Sequence, residues 1–404
     1  MDIFHGDWAR RTSALQFELS QRQRSDTSKR QRVVTFRPPQ QAERRAAVIS
    51  LHFSPAHASH MIAYGKLLRD LGYAVSFVLD ERYISFATFS SVGPEITAKR
   101  YFSSGHPHFE VAIICNSATT NPKIVDMLRA NDTKVFYVFH EPEPIWNPSL
   151  IETEGWIKTI KFMLSTLFSI KTLRRSSGVI VCSSCALSLY ERHYQRHNGN
   201  VISIPLLFDD EIGEVRLEQM RNQKKSFGFI GTACRAHGFD EFVAFSKYAI
   251  RNGSSIPFAI VTAVDLTSIL TADRELACLV KDARIQIQHG RKLSNEEINQ
   301  HYLSSFGVWN IYRRSTQSGV LPRAFMAGSP VVATRVGSFP QFVSEGVTGE
   351  LVGSATDLAA ILDAVERMRS KSAEYVDGCR KAFKDTFYYK AQSNRLGEIL
   401  KVTV

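Results

Sequence analysis

Two loops of this chain place cations beside glycine, a pairing suited to gripping phosphate. The first runs Tyr312-Arg313-Arg314-Ser315-Thr316-Gln317-Ser318-Gly319 and leads into a helix expected over Val320–Ala327, with Pro322 in its first turn. A helix start presents N–H donors and the positive end of a dipole, so an anion is stabilised there. Gly319 would let that anion approach the backbone closely. The second loop, in FIGTACRAHGFDEFVAFS, sets Arg235 and His237 between Gly231 and Gly238. Together the loops could converge on one diphosphate and neutralise it as charge develops on a leaving group. Histidines supply the remaining chemistry. His57 and His60 follow the apolar run AVISLHF, and His140 with Glu141 follows FYVF. The plain alternatives are an ordinary loop–helix–strand connection around Gly319 and a structural histidine at each strand end.

The elements that must hold these residues alternate between short apolar runs and amphipathic stretches, the pattern of parallel sheets wound with helices. Strands are expected at 47–53, 74–79, 111–115, 134–139, 178–183 and 201–206, with helices at 61–71 and 122–130. A charged stretch without a clean pattern, 209–225, reads as a linker. A second unit follows, with strands at 226–230, 256–261, 284–287, 306–311 and 331–334. In such sheets ligands bind beyond the carboxyl ends of the strands, where every residue named above falls.

Length sets two domains as the expectation. The net charge is +11, which favours anionic partners such as nucleotide phosphates, acidic lipid or nucleic acid. Six cysteines make no disulfide scaffold, and the lone Cys182-Ser-Ser-Cys185 has no second pair at zinc-site spacing. No leader is expected, and no apolar run reaches the length of a membrane span. The reading is therefore cytoplasmic. Residues 1–45 hold ten Lys or Arg against five Asp or Glu and are expected to form a flexible basic extension.

The stretch 155–175, GWIKTIKFMLSTLFSIKTLRR, holds five basic residues and no acid. At 100° per residue Trp156, Ile157, Ile160, Met163, Leu164, Leu167 and Phe168 share one stripe, opposed by Lys158, Ser165, Ser169 and Thr172. Two readings stand: a helix lying in a membrane interface, or one whose apolar stripe packs on its own sheet.

In their order, these parts resemble the GT-B fold glycosyltransferases of the retaining group 1 (family 4) branch, over most of 46–404. His140 closes a strand, as in the family's strand–His–Asp element. Ile204-Pro205 resembles its interdomain Ile-Pro-Asn, and Gly231 to Gly238 matches its first diphosphate loop in length. Arg323-Ala-Phe-Met-Ala-Gly-Ser-Pro-Val-Val-Ala resembles Glu-Ala-Met-Ala-x-Gly-x-Pro-Val-Val-Ala, and 345–352 resembles the hairpin that follows. The resemblance implies two Rossmann-like domains with parallel sheets facing across a cleft. Residues 46–207 would bind the acceptor and 208–385 the nucleotide sugar, with 386–404 crossing back onto the first. The chain departs from the family at several positions. Thr232 and His237 stand where the family's Arg and Lys grip the diphosphate, with Arg235 a substitute. The two family glutamates become Ser315 and Arg323.

The resemblance implies transfer of a sugar, with retention and no metal or other cofactor, from a nucleotide-diphosphate sugar to a glycan or lipid-linked glycan in cell-surface polysaccharide or glycoconjugate synthesis. His140 and Arg235 would serve catalysis. Gly231, Thr232, His237, Arg313, Arg314, Ser315, Gln317, Ser318, Gly319, Val320 and Arg323 would bind the donor, and His57, His60 and Glu141 the acceptor. Peripheral membrane contact through 155–175 accompanies this reading, and no specific nucleic acid is expected. The alternatives are an inactive nucleotide-sugar binder and a nucleotide-sugar epimerase of the same fold.

Overall fold

A computed structural model describes residues 44–84, 88–103, 107–148, 150–151 and 155–402. The expected basic extension lies outside these, apart from Arg44 and Arg45. Two parallel sheets form the frame. The first holds β1 (Arg45–Ser50), β2 (Ala74–Leu79), β3 (Glu95–Thr97), β4 (Val111–Ile114), β5 (Lys134–Val138), β6 (Gly178–Val181) and β7 (Val201–Ser203), ordered β3-β2-β1-β4-β5-β6-β7. The second holds β8 (Ser226–Ile230), β9 (Phe258–Val261), β10 (Ile285–Gln288), β11 (Ser305–Asn310), β12 (Val331–Thr334) and β13 (Gly349–Val352), ordered β10-β9-β8-β11-β12-β13.

Central strands read as unbroken apolar runs because helices cover both faces. β1 is buried from Ala46 onward, and Val48 lies level with Phe77 on one neighbour and Ile113 on the other. The second lobe closes its core with aromatics. The rings of Phe242 and Phe245 lie 5.4 and 5.7 Å from that of Trp309, which is buried. The short strand β3 lies where none was expected, β13 falls in the stretch that resembles the family's hairpin, and a helix at Glu214–Met220 occupies part of the expected linker. Three residues suffice for β3 at a sheet edge, too few to show a period in the sequence.

The strand order places the site. In each sheet the order reverses between the first strand and the fourth: β1 beside β4, and β8 beside β11. Ligands of such sheets bind at this point, beyond the carboxyl ends of the strands. The loops after β8 and β11 are the two cation-bearing loops, and the loop after β1 carries His57.

The chain then returns towards the first sheet. Tyr389 N–H donates to the Phe208 carbonyl at 3.0 Å, and Phe208 N–H donates to that of Phe387 at 2.8 Å. The closing helix Ser393–Val402 brings Gly397 against Leu71, so that a Cβ there would sit 3.2 Å from a Leu71 methyl.

Candidate active site

The two cation loops interlock. Gly231 lies at the end of β8 with φ +149°, and a Cβ there would sit 3.7 Å from Val320. Arg313 N–H donates to the Ala236 carbonyl at 3.2 Å, and the His237 ring stacks on Tyr312 at 4.5 Å. Gly238 is left-handed at φ +68°, and a Cβ would meet the Ile311 carbonyl oxygen at 2.1 Å. Gly337, at φ +59°, lies so close to Ser315 that a Cβ would overlap its carbonyl oxygen at 1.6 Å. Glycine is required at both positions by conformation and by space. Gly319 is different: its φ is −74° and nothing stands within 4 Å of a built Cβ, so space beside its backbone is open. The helix it caps runs Val320–Met326, one residue shorter than expected, and ends at left-handed Gly328.

The first lobe meets these loops directly. His140 Nε2 donates to the Cys115 carbonyl at 2.7 Å, at the end of β4, which leaves Nδ1 as the acceptor of the neutral ring. Nδ1 faces the Gln317 side-chain amide of the second lobe at 3.1 Å. The Gln317 NH2 must therefore point at the ring, because two acceptors would repel. Thr316 hydroxyl donates to the His140 carbonyl at 3.2 Å, and Ser183 hydroxyl to the Thr316 carbonyl at 2.7 Å. Ser315 hydroxyl donates to the Gln317 carbonyl at 2.9 Å, folding the loop on itself.

Around His140 the core is polar. Its ring lies 4.4 Å from that of His57 and 5.4 Å from that of His60. Burial holds all three imidazoles below their ordinary pKa, His60 at about 3, and the charge of the neighbouring His140 adds to the effect on His57 and His60. They are neutral at pH 7. His57 Nδ1 and His60 Nε2 are buried with no hydrogen-bond partner among the described residues. Ligand atoms of His60, His140 and Cys182 lie within 4.8 Å of one another, the one convergence of metal-ligand types among the described residues. Burial pushes the Cys182 thiol up to about 12, so without a metal it stays protonated at neutral pH.

The sites expected from the sequence fall into two groups. Gly231, Thr232, Arg235, His237, Gln317, Ser318, Gly319 and Val320 come together on the interlocked loops, with Arg235 and Thr232 exposed. Glu141 is exposed beside His140. Others are engaged elsewhere. Arg313 pairs with Glu241 of the helix Phe239–Arg251, and Arg314 pairs with Glu143 of the first lobe at 2.6 Å. The two guanidinium groups diverge, as neighbours in an extended segment must. Arg323 is held by residues outside the two loops. It donates to Ser59 hydroxyl at 2.7 Å and to Asn299 and Asn295 at 3.1 Å, with Glu211 at 3.6 Å. His60 is turned into the core. It sits 2% exposed in the helix Ala58–Asp70, its Nδ1 accepting the Leu207 N–H at 3.0 Å.

Sequence reasoning missed the acids that hold the arginines. Glu143, Glu211 and Glu241 lie between 72 and 171 positions from their partners or on separate elements, and no local spacing announces such pairs.

The comparisons fit this geometry. Residues 224–371 match the family model of the group 1 glycosyl transferases. The second lobe is thus a group 1 glycosyltransferase domain, within a chain of GT-B fold. Sucrose-phosphate synthase from Thermosynechococcus elongatus is similar in structure with a TM-score of 0.65 at 15% identity, covering 89% of this chain and 99% of that one. HepE from Anabaena, solved with UDP, gives 0.63 at 15% identity, covering 89% and 100%. A glycosyltransferase from Rickettsia africae gives 0.62 at 12%, covering 90% and 99%. No curated protein sequence matches the chain.

Proposed function

We propose that this protein transfers a sugar from a nucleotide-diphosphate sugar to a glycan or lipid-linked glycan, with retention and without a metal, in cell-surface polysaccharide or glycoconjugate synthesis at the cytoplasmic face of a membrane. The observation that carries the reading is the interlock of the loops after β8 and β11 at the point where the strand order reverses, with open space beside Gly319. HepE was solved with UDP and glucose, and its fold is shared.

In this reading Arg235 neutralises the diphosphate as the bond to the sugar breaks. Gly231, Thr232, His237 and the Ser318–Val320 backbone line its place. His140 meets the donor sugar once Gln317 releases Nδ1, and His57 and Glu141 border the acceptor. Arg313 and Arg314 can reach phosphate only by leaving Glu241 and Glu143. That engagement, with Arg323 held by Glu211, favours one second reading, an inactive sugar-nucleotide binder.

The experiment is a panel of UDP-, GDP-, dTDP- and CMP-sugars read by thermal stabilisation and by release of free nucleotide. A transferase is stabilised by one nucleotide class and slowly hydrolyses its sugar. Stabilisation without release supports the inactive binder. No stabilisation by any member overturns both.

A further inference from the structure

The helix Trp156–Arg175 is inverted. Its inward face is built from hydroxyls: Thr159, Thr166, Ser169 and Thr172 are all buried, together with Ile170 and Leu173. Each hydroxyl bonds the carbonyl four residues earlier, on Gly155, Phe162, Ser165 and Phe168, at 2.8 to 3.1 Å. These bonds let a polar face pack inward without orphaned groups. The outward face is apolar. Trp156 is 61% exposed, Ile157 73%, Ile160 52%, Leu164 54% and Leu167 48%. Trp146, 53% exposed, lies with its ring 6.4 Å from that of Trp156. Of the ten large apolar residues that stand exposed among the described residues, six belong to this one patch. Scattered exposed apolar residues are ordinary, whereas a contiguous patch marks a docking surface.

The stripe from Trp156 to Leu167 spans about 16 Å along the helix. At 100° per residue Lys171 and Arg174 continue the same stripe, and Lys161 borders it. Lys161, Lys171 and Arg174 are exposed. Arg174 Nε reaches His197 Nδ1 at 3.2 Å, which brings the exposed Arg192 and Arg196 to the basic end. The helix has no acid. Among the described residues the acids near its basic end are Asp126, paired with Arg175 at 2.9 Å, and Glu191, on the following helix; in the sequence Glu152 and Glu154 precede the tryptophan end.

We propose that this outward face docks on an anionic lipid surface. The apolar turns and the two tryptophans would enter the interface while the cationic end meets headgroup phosphates. A second copy of this chain is the alternative occupant, and the oligomeric state of the protein in the test below distinguishes it. The inference deepens the membrane location in the proposed function, but its test uses no sugar nucleotide, so its failure leaves the transfer reading standing.

Full-length protein is sedimented with vesicles of neutral phosphatidylcholine and of phosphatidylcholine with a third phosphatidylglycerol. Wild type is compared with I160S/L164S/L167S and K161E/K171E. These positions are exposed, so the variants should melt with wild type. The expected result is binding to anionic vesicles at least tenfold stronger than to neutral ones, weakened by salt. Each variant should lose tenfold or more. Three results overturn the proposal: no association with anionic vesicles, binding unchanged in I160S/L164S/L167S, or a stable dimer in solution that this variant abolishes.

Discussion

His140 and Gln317, 177 positions apart in the chain, meet at 3.1 Å across the two sheets. Because His140 Nε2 is held by the Cys115 carbonyl, the pair works only with Gln317 as donor. A carboxylate in place of that amide reverses the requirement. Gln317→Glu should therefore stabilise the protonated ring and raise the His140 pKa by about one unit or more. NMR titration of the imidazole measures this. An unchanged His140 pKa would show that the two side chains do not face one another.

The buried histidines make stability depend on acid. His60 titrates near 6.5 in the unfolded chain but at about 3 when folded. Its contribution is complete above pH 6.5 and is lost as the pH falls towards 3, at about 1.4 kcal/mol per pH unit for one group. His140, shifted in the same direction, adds to the slope. His60→Asn keeps an acceptor for the Leu207 N–H and should flatten the melting profile between pH 6.5 and 4. A profile as steep as wild type contradicts the assignment.

Arg323 stands where the resembling family has a glutamate, yet its guanidinium lies 3.6 Å from Glu211, with 13% of the side chain exposed. Arg323→Glu sets two carboxylates together and should destabilise by about 2–4 kcal/mol. The charge swap R323E/E211R should recover part of that loss. If Arg323→Glu left the melting point unchanged, the residue would not be held as described.

Gly337 packs directly against the Ser315 carbonyl at the start of the Ser315–Gly319 loop. Gly337→Ala adds a Cβ that overlaps the Ser315 carbonyl and forces a methyl-bearing residue to φ +59°. The expected cost is about 2–4 kcal/mol, with weakened nucleotide binding as the loop shifts. Gly319→Ala, at φ −74° with open space, should leave stability within about 0.5 kcal/mol. Equal melting of the two variants contradicts this contrast.

Local patterns made the frame readable. Apolar runs such as Ala47–Ile49 mark buried strands, and left-handed Gly238 and Gly328 sit where turn chemistry demands them. The two cation loops were legible because they follow strands, and strand ends are where ligands bind. What a side chain touches was not legible. Arg313 and Arg314 read as anion grips, but Glu241 and Glu143 arrive from elements that no local spacing connects to them. His60 reads as a loop residue, but the helix starts two positions before it and turns it inward. The helix at Trp156 teaches the same lesson: a 100° wheel defines two faces but not which one turns inward, and here the hydroxyls do.

In the proposed function the interlocked loops bind a diphosphate through Arg235. Calorimetric titration of UDP, or of whichever nucleoside diphosphate stabilises the protein, into wild type and Arg235→Ala tests it most directly. Binding should be saturable, weaken with salt and fall about tenfold or more in the variant. Equal affinity in the two proteins, or no binding in wild type, would contradict it.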